Sequence, residues 1–355
     1  MKRIFGVALL ATLIIVGAGG CIKVQKQKTT TTNTLGGVFF TEDRFETWKH
    51  RSTMMTPGAL VGSIGGVDVS FMRFDPSDSE AMYLGTRADG VYYTYNGGAG
   101  WTKADKLPSG FVRDLVVDPK DKCTIYVAVE NKIFRSEDCS RNWTEVYYTD
   151  KPDVKVTALE IDWFETAVVY AGLSEGSLLR SKDRGIAWTL SKKFAARISK
   201  IAVDPNDSRN VYVGITDNGL AKTADKGETW TELNKAMKDF SGSKKYYDLA
   251  IATSAKNVIL YANKYGLLRS LDGGTTWSEV KLLTPPAAEQ IYALAVDPKN
   301  ADYIYYSTNS AIYKTIDGGA NWVVKKTPTT RVVSEILVHP KKTDRIFAGV
   351  KSIEQ

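Results

Sequence analysis

Two histidines and three cysteines among 355 residues leave this chain little with which to build a metal centre or a thiol active site. His50 and His339 have no Cys or His neighbour at ligand spacing, so no metal and no cofactor is expected. The net charge of +7 is spread without a basic run, which argues against nucleic acid as a partner and leaves acidic partners or anionic headgroups open. Beyond the first twenty residues no apolar stretch approaches the length of a membrane-crossing helix.

The N-terminus differs from the rest. Lys2 and Arg3 precede an apolar stretch from Ile4 to Ala18, then Gly19, Gly20 and Cys21, the order of an export signal. Small residues running into a cysteine resemble a bacterial lipoprotein cleavage site, although Ala18 stands where such sites usually carry Leu. Residues 1–20 are therefore expected to be a lipoprotein-type signal peptide, with Cys21 the lipidated first residue. An uncleaved anchor or an ordinary signal peptide is the alternative; each reading places the following chain outside the cytoplasm, and the lipoprotein reading anchors it to a membrane of the cell envelope. Residues 21–35 are polar and rich in Thr, Lys and Gln, the composition of a flexible tether.

Seven of the eight tryptophans close one recurring pattern: a hydroxyl residue, any residue, Asp or Asn, four more residues, then Trp. Its acidic or amide position is filled by Asp43, Asn96, Asp138, Asp183, Asp225, Asp272 and Asp317. After the first pair, successive tryptophans lie 42, 45, 42, 47 and 45 residues apart, the period of a four-stranded propeller blade. A carboxylate and a hydroxyl two residues apart can bond nearby amides and hold a tight hairpin. A second recurring turn precedes each pattern but the first: Asp75-Pro76, Asp118-Pro119, Asp204-Pro205 and Asp297-Pro298, with the variants Asp162-Trp163 and His339-Pro340 and a degenerate copy near Thr253. Each repeat thus reads as strands A and B around this turn and C and D around the Trp-closed one. The first Trp turn has no A and B strands before it, and Val332 to Val350 have no Trp turn after them. Joining the two ends completes a blade and closes the ring. The expectation is an all-β, seven-bladed β-propeller over residues 36–355, its closing blade shared by the two termini.

These turns resemble the Asp-box, or BNR, repeat. Such boxes occur in sialidases, xyloglucan-cleaving glycosidases, sortilin-type receptors and the photosystem II stability and assembly factor family, the last being similar in size and blade count. In those families the boxes lie opposite the usual binding face, so the resemblance implies architecture and not chemistry. The Arg-Ile-Pro signature of sialidases is absent. The paired acids of xyloglucan-type glycosidases sit between two propellers, and one propeller is expected here.

Cys123 precedes strand B and Cys139 lies in the box that ends strand C of the same repeat, which predicts a disulfide between them in an oxidising compartment. On the face opposite the boxes, the position five residues before the A strand turn is Ser70, Arg113, Thr157, Ser199, Asp248, Tyr292 or Ser334, predicted to ring the channel mouth. Lys155, Arg197 and Arg331 fall close by. The candidate ligand-binding set is Arg113, Arg197, Arg331, Lys155, Asp248 and Tyr292, with solvated channel groups as the plainer alternative. Two long loops, Lys49 to Gly66 and Leu233 to Lys245, are further candidates. The expected function is a non-catalytic, monomeric binding or assembly scaffold for a protein or envelope glycan; the alternative is a glycan-binding or glycoside-hydrolysing propeller.

Overall fold

The computed structural model describes residues 34–56 and 59–353. The export signal, Cys21 and most of the tether lie outside the described residues. A compact unit spans Asn33–Gln355. Among the described residues no helix is long and apolar enough to cross a membrane.

Strand B of each repeat is apolar on both faces because it is covered on both faces. Met82–Thr86, Val169–Leu173 and Val211–Ile215 are buried at every position. Flanking strands pair with them antiparallel, giving seven four-stranded sheets. The innermost strands run Val69–Phe74, Val112–Asp118, Val156–Ile161, Ile198–Val203, Tyr246–Ile251, Ala293–Asp297 and Val332–Val338. Each touches its counterparts in the adjoining blades, and Val332–Val338 meets Val69–Phe74 to close the circle. The protein is a seven-bladed β-propeller. Its closing blade takes Gly37–Thr41 from the N-terminal side and Ile346–Lys351 from the C-terminal side, paired from Gly37 against Val350 to Thr41 against Ile346.

Each Asp-box works as the residues require. In the fifth, the Thr223 hydroxyl donates to Asp225 at 2.6 Å and accepts from the Gly227 amide at 2.9 Å, while the Thr229 amide donates to Asp225 at 2.8 Å. The Thr223 hydroxyl bond, with those from Thr229, holds the Asp225 carboxyl down at about 2. The boxes also fasten neighbouring blades. Trp188 and Trp322 donate to the carbonyls of Val146 and Lys281 in the preceding blade. The strand B tyrosines Tyr126, Tyr170 and Tyr212 donate to the box carbonyls of Arg184, Lys226 and Gly273 in the next. Phe347 keeps the ring of this series without the hydroxyl and packs under Gly98.

The recurrent Asp-Pro turns use one device. Asp75, Asp118, Asp162, Asp204 and Asp297 each accept the backbone amide two residues on at 2.8 Å. His339 does the same through Nδ1, which accepts the Lys341 and Lys342 amides at 3.1 Å. The histidine is thus a turn former, and burial pushes its pKa down. His50 bonds the Gly36 carbonyl at 2.9 Å and stacks on Phe39.

The first long loop is not a top-face appendage. Its strand Thr53–Thr56 pairs with Ala59–Ser63 and bonds both sides of Trp101, whose amide donates to Thr53 and whose carbonyl accepts from Met55. Trp101 is wholly buried, with its indole N–H on the Arg51 carbonyl at 2.9 Å. Changing Trp101 to Ala should cost about 3–5 kcal/mol, the range for deleting a large buried aromatic, read as a shift in the urea midpoint at constant slope. In the second loop, the 3-10 turn Leu233–Met237 buries its two end residues and leaves Lys235, Lys238, Lys244 and Lys245 exposed. Cys123 and Cys139 are joined as a disulfide.

Candidate functional site

A break in strand pairing places the candidate residues. In six innermost strands the register with strand B slips by one, at Ser70, Arg113, Thr157, Ser199, Tyr247 and Ser334. A bulge of this kind re-aims side chains that strict alternation would keep apart. All seven residues expected at the mouth, Ser70, Arg113, Thr157, Ser199, Asp248, Tyr292 and Ser334, line a polar cavity of about 360 Å³ in the upper channel. It adjoins a cavity of about 390 Å³ at the mouth, lined by Arg87, Phe111, Arg113, Arg197, Tyr292 and Lys351 among others.

These side chains divide into those already engaged and those available. Thr157 donates to the Ile198 carbonyl at 2.6 Å and Ser334 faces the Val69 carbonyl at 3.3 Å, so both tie adjacent blades. Asp248 is engaged as well: it accepts Lys200 at 2.7 Å and the amides of Leu249 and, in the next blade, Leu294. Asp114 repeats this pattern with Arg73 at 3.1 Å and the Leu115 and Leu159 amides. Asp248 is therefore a structural clamp, in place of the ligand contact expected for it. Arg331 is drawn aside by Asp68 at 2.8 Å and the Thr34 carbonyl, and Lys155 by Glu130 at 3.3 Å. Neither lines the mouth cavity.

Arg113 and Arg197 are brought together. The Arg113 guanidinium lies 4.3 Å over the Phe111 ring and 3.7 Å from Glu130. Arg197 has no carboxylate within ion-pair reach among the described residues. Burial and the neighbouring Arg113 charge both push its pKa below the ordinary value, yet a guanidinium stays charged. Two adjacent cations, one of them uncompensated, favour an anion with planar, forked acceptors, such as a carboxylate. Phe111, Arg87 and Lys351 were not singled out from sequence. Phe111 stands two residues before Arg113 and could have been found as an aromatic in the loop leading to strand A; Lys351 offers no comparable signal.

Deeper in the channel, Glu160 and Glu335 join Arg73, Lys200, Asp114 and Asp248. Burial raises Glu160 to about 8 and Glu335 to about 7, with Arg73 opposing both shifts. No group of His, Cys, Asp and Glu among the described residues is arranged to hold a metal ion.

Fold and repeat together define the class: the chain is an Asp-box β-propeller. A family model described as photosynthesis system II assembly factor YCF48 matches residues 194–344, somewhat under half of the chain. No curated protein matches significantly. Among solved structures, the GH74 xyloglucanase from Xanthomonas campestris is similar with a TM-score of 0.64 at 18% identity, over 81% of this chain and 51% of that one. The chain thus spans about half the length of that enzyme. YCF48 bound to D1 peptide is similar with a TM-score of 0.61 at 14% identity, over 81% of this chain and 94% of that one. YCF48 from Cyanidioschyzon merolae gives 0.60 at 14% identity, over 80% and 95%. At these identities the likeness is one of fold. The chain resembles the assembly-factor propellers in extent and the glycosidases in one half of their length.

Proposed function

We propose that this protein is a non-catalytic scaffold, tethered outside the cytoplasm by a lipid on Cys21, that holds an acidic segment of a protein partner at the upper channel mouth. The observation that carries this reading is the Arg113 and Arg197 pair, with Phe111 and Tyr292 beside it in the mouth cavity. A peptide carboxylate would lie between the two guanidiniums, with Tyr292 available to stack on the residue before it, while Phe111 backs the Arg113 guanidinium. That YCF48 has been solved with a D1 peptide supports a peptide as the ligand class for a propeller of this build. The tether rests on the order of residues 2–21 alone.

A glycan reading is favoured only by the Tyr292 ring, on which a sugar could stack. The channel carboxyls lend it little. Asp114 and Asp248 are saturated by backbone amides and cations, and Glu160 and Glu335 lie below the mouth.

The test is fluorescence anisotropy with labelled acidic hexapeptides bearing a free C-terminal carboxylate, compared with their C-terminal amides. Saturable binding is expected to weaken by about tenfold or more on losing either arginine or the carboxylate, and to fall with added salt. Envelope polysaccharide binding equally to the wild type and Arg113→Ala/Arg197→Ala, with no peptide bound, would sink the scaffold reading.

A further inference from the structure

The channel's other end has the opposite chemistry. On the Asp-box face, the recurrent turns place Pro76, Pro119 and Pro340 around an opening of about 440 Å³, walled by Phe74, Trp163 and Leu337. Trp163 stands where five of the repeats carry proline, and it is 37% exposed. A cavity of this size, mostly apolar with one or two polar groups at its floor, has the build of a small-molecule site. The floor is Arg73 and Glu160. Arg73 is committed to Asp114 and the Met72 carbonyl. The Glu160 carboxyl accepts the Ile161 amide at 3.2 Å and has no cation within ion-pair reach among the described residues.

We infer that this lower opening binds a small, uncharged, apolar ligand that carries a hydrogen-bond acceptor, seated between Trp163 and the proline rim with its acceptor on the Glu160 carboxyl. The two charged groups of the lining are already engaged, Arg73 by Asp114 and the Met72 carbonyl and Asp75 by Ser77 and the Asp78 amide, which separates this site from the cationic mouth above. Glu160 supplies one donor while it keeps its proton, and it does so up to about pH 8 because burial opposes ionisation. The groups that face it are Asp114 and Lys200 from the adjoining blades and Arg73 from the blade beyond Asp114, with Glu335 and Asp248 sharing those cations and Asp75 at the rim. Once ionised, Glu160 would place a charge beneath an apolar ligand, and affinity would fall.

Nile red, neutral and carrying a carbonyl acceptor, is the probe, titrated into the intact protein with its emission and the quenching of Trp163 as readouts. One saturable site is expected, with affinity dropping about tenfold from about pH 6.5 to about pH 9.5. Glu160→Gln should bind with little dependence on pH, since the amide keeps a donor and cannot ionise. Thr253→Trp, at the exposed rim, should block the site, and Arg113→Ala/Arg197→Ala should leave it unchanged. Absence of saturable binding overturns the inference, and so does binding that Thr253→Trp leaves intact or whose pH dependence survives Glu160→Gln.

Discussion

A chain ended at Asp344 is expected to lose its cooperative thermal transition and to bind hydrophobic dyes. The missing strand, Ile346–Lys351, is the centre of the closing blade, pairing with Val332–Val338 on one side and Gly37–Thr41 on the other. Its removal exposes two strand edges at once and takes away Phe347 and Ala348, which are buried against the neighbouring blades. Losing several buried apolar side chains at about 1.5–3 kcal/mol each exceeds the margin by which a domain of this kind is stable. Circular dichroism during heating reads the outcome; a sharp transition near that of the full chain would mean that the ring does not depend on this closure.

Stability is expected to peak at mildly acid pH and to decline towards pH 8, the reverse of the usual carboxylate pattern. In the unfolded chain Glu160 and Glu335 ionise near 4.5, whereas in the folded channel burial holds them protonated to about 8 and about 7. Between those values the unfolded state has released protons that the folded state still binds, so each rise in pH favours unfolding. At about 1.4 kcal/mol per unit of pKa, the two coupled groups together shift stability by several kcal/mol. Below about pH 4 the sign reverses, because the Thr223 and Thr315 hydroxyl bonds on Asp225 and Asp317 and the Asn142 contact on Asp138 keep those carboxyls near 2. The stabilisation they give is present above the unfolded value of 3.8 and is lost as pH falls towards 2. Urea midpoints measured from pH 3 to 9 test both limbs. Glu160→Gln/Glu335→Gln should flatten the alkaline limb and leave the acid one alone; an unchanged alkaline limb would place the titration elsewhere.

The fold was legible because its determinants are local and repeated. A box needs a hydroxyl, a carboxylate and a tryptophan at fixed spacing, and the incomplete repeats at the two ends show where the ring closes. His339 could be placed as a turn former from its position before Pro340, and the structure gives it that role through Nδ1. The site was legible only in part. Counting from the turn found the seven mouth positions, since the offset holds in every blade, but it could not tell which side chains are consumed by their neighbours. Asp248 bonds an amide of the next blade, and Arg331 reaches back to Asp68 across the closure, so both are spent on contacts that link distant parts of the chain. Arg73 and Glu160 were missed for a related reason. They lie deeper along strand A, beyond bulges at Ser70 and Thr157 that alternation alone does not register.

Photocrosslinking in the native cell envelope tests the central claim most directly. A benzophenone amino acid at Tyr292, beside Arg113 and Arg197, should yield one protein adduct that is lost in Arg113→Ala/Arg197→Ala, while the same probe at Thr275 in an exposed box should not yield it. Adducts that form equally from both faces, or persist without the two arginines, would contradict a binding site at the upper mouth.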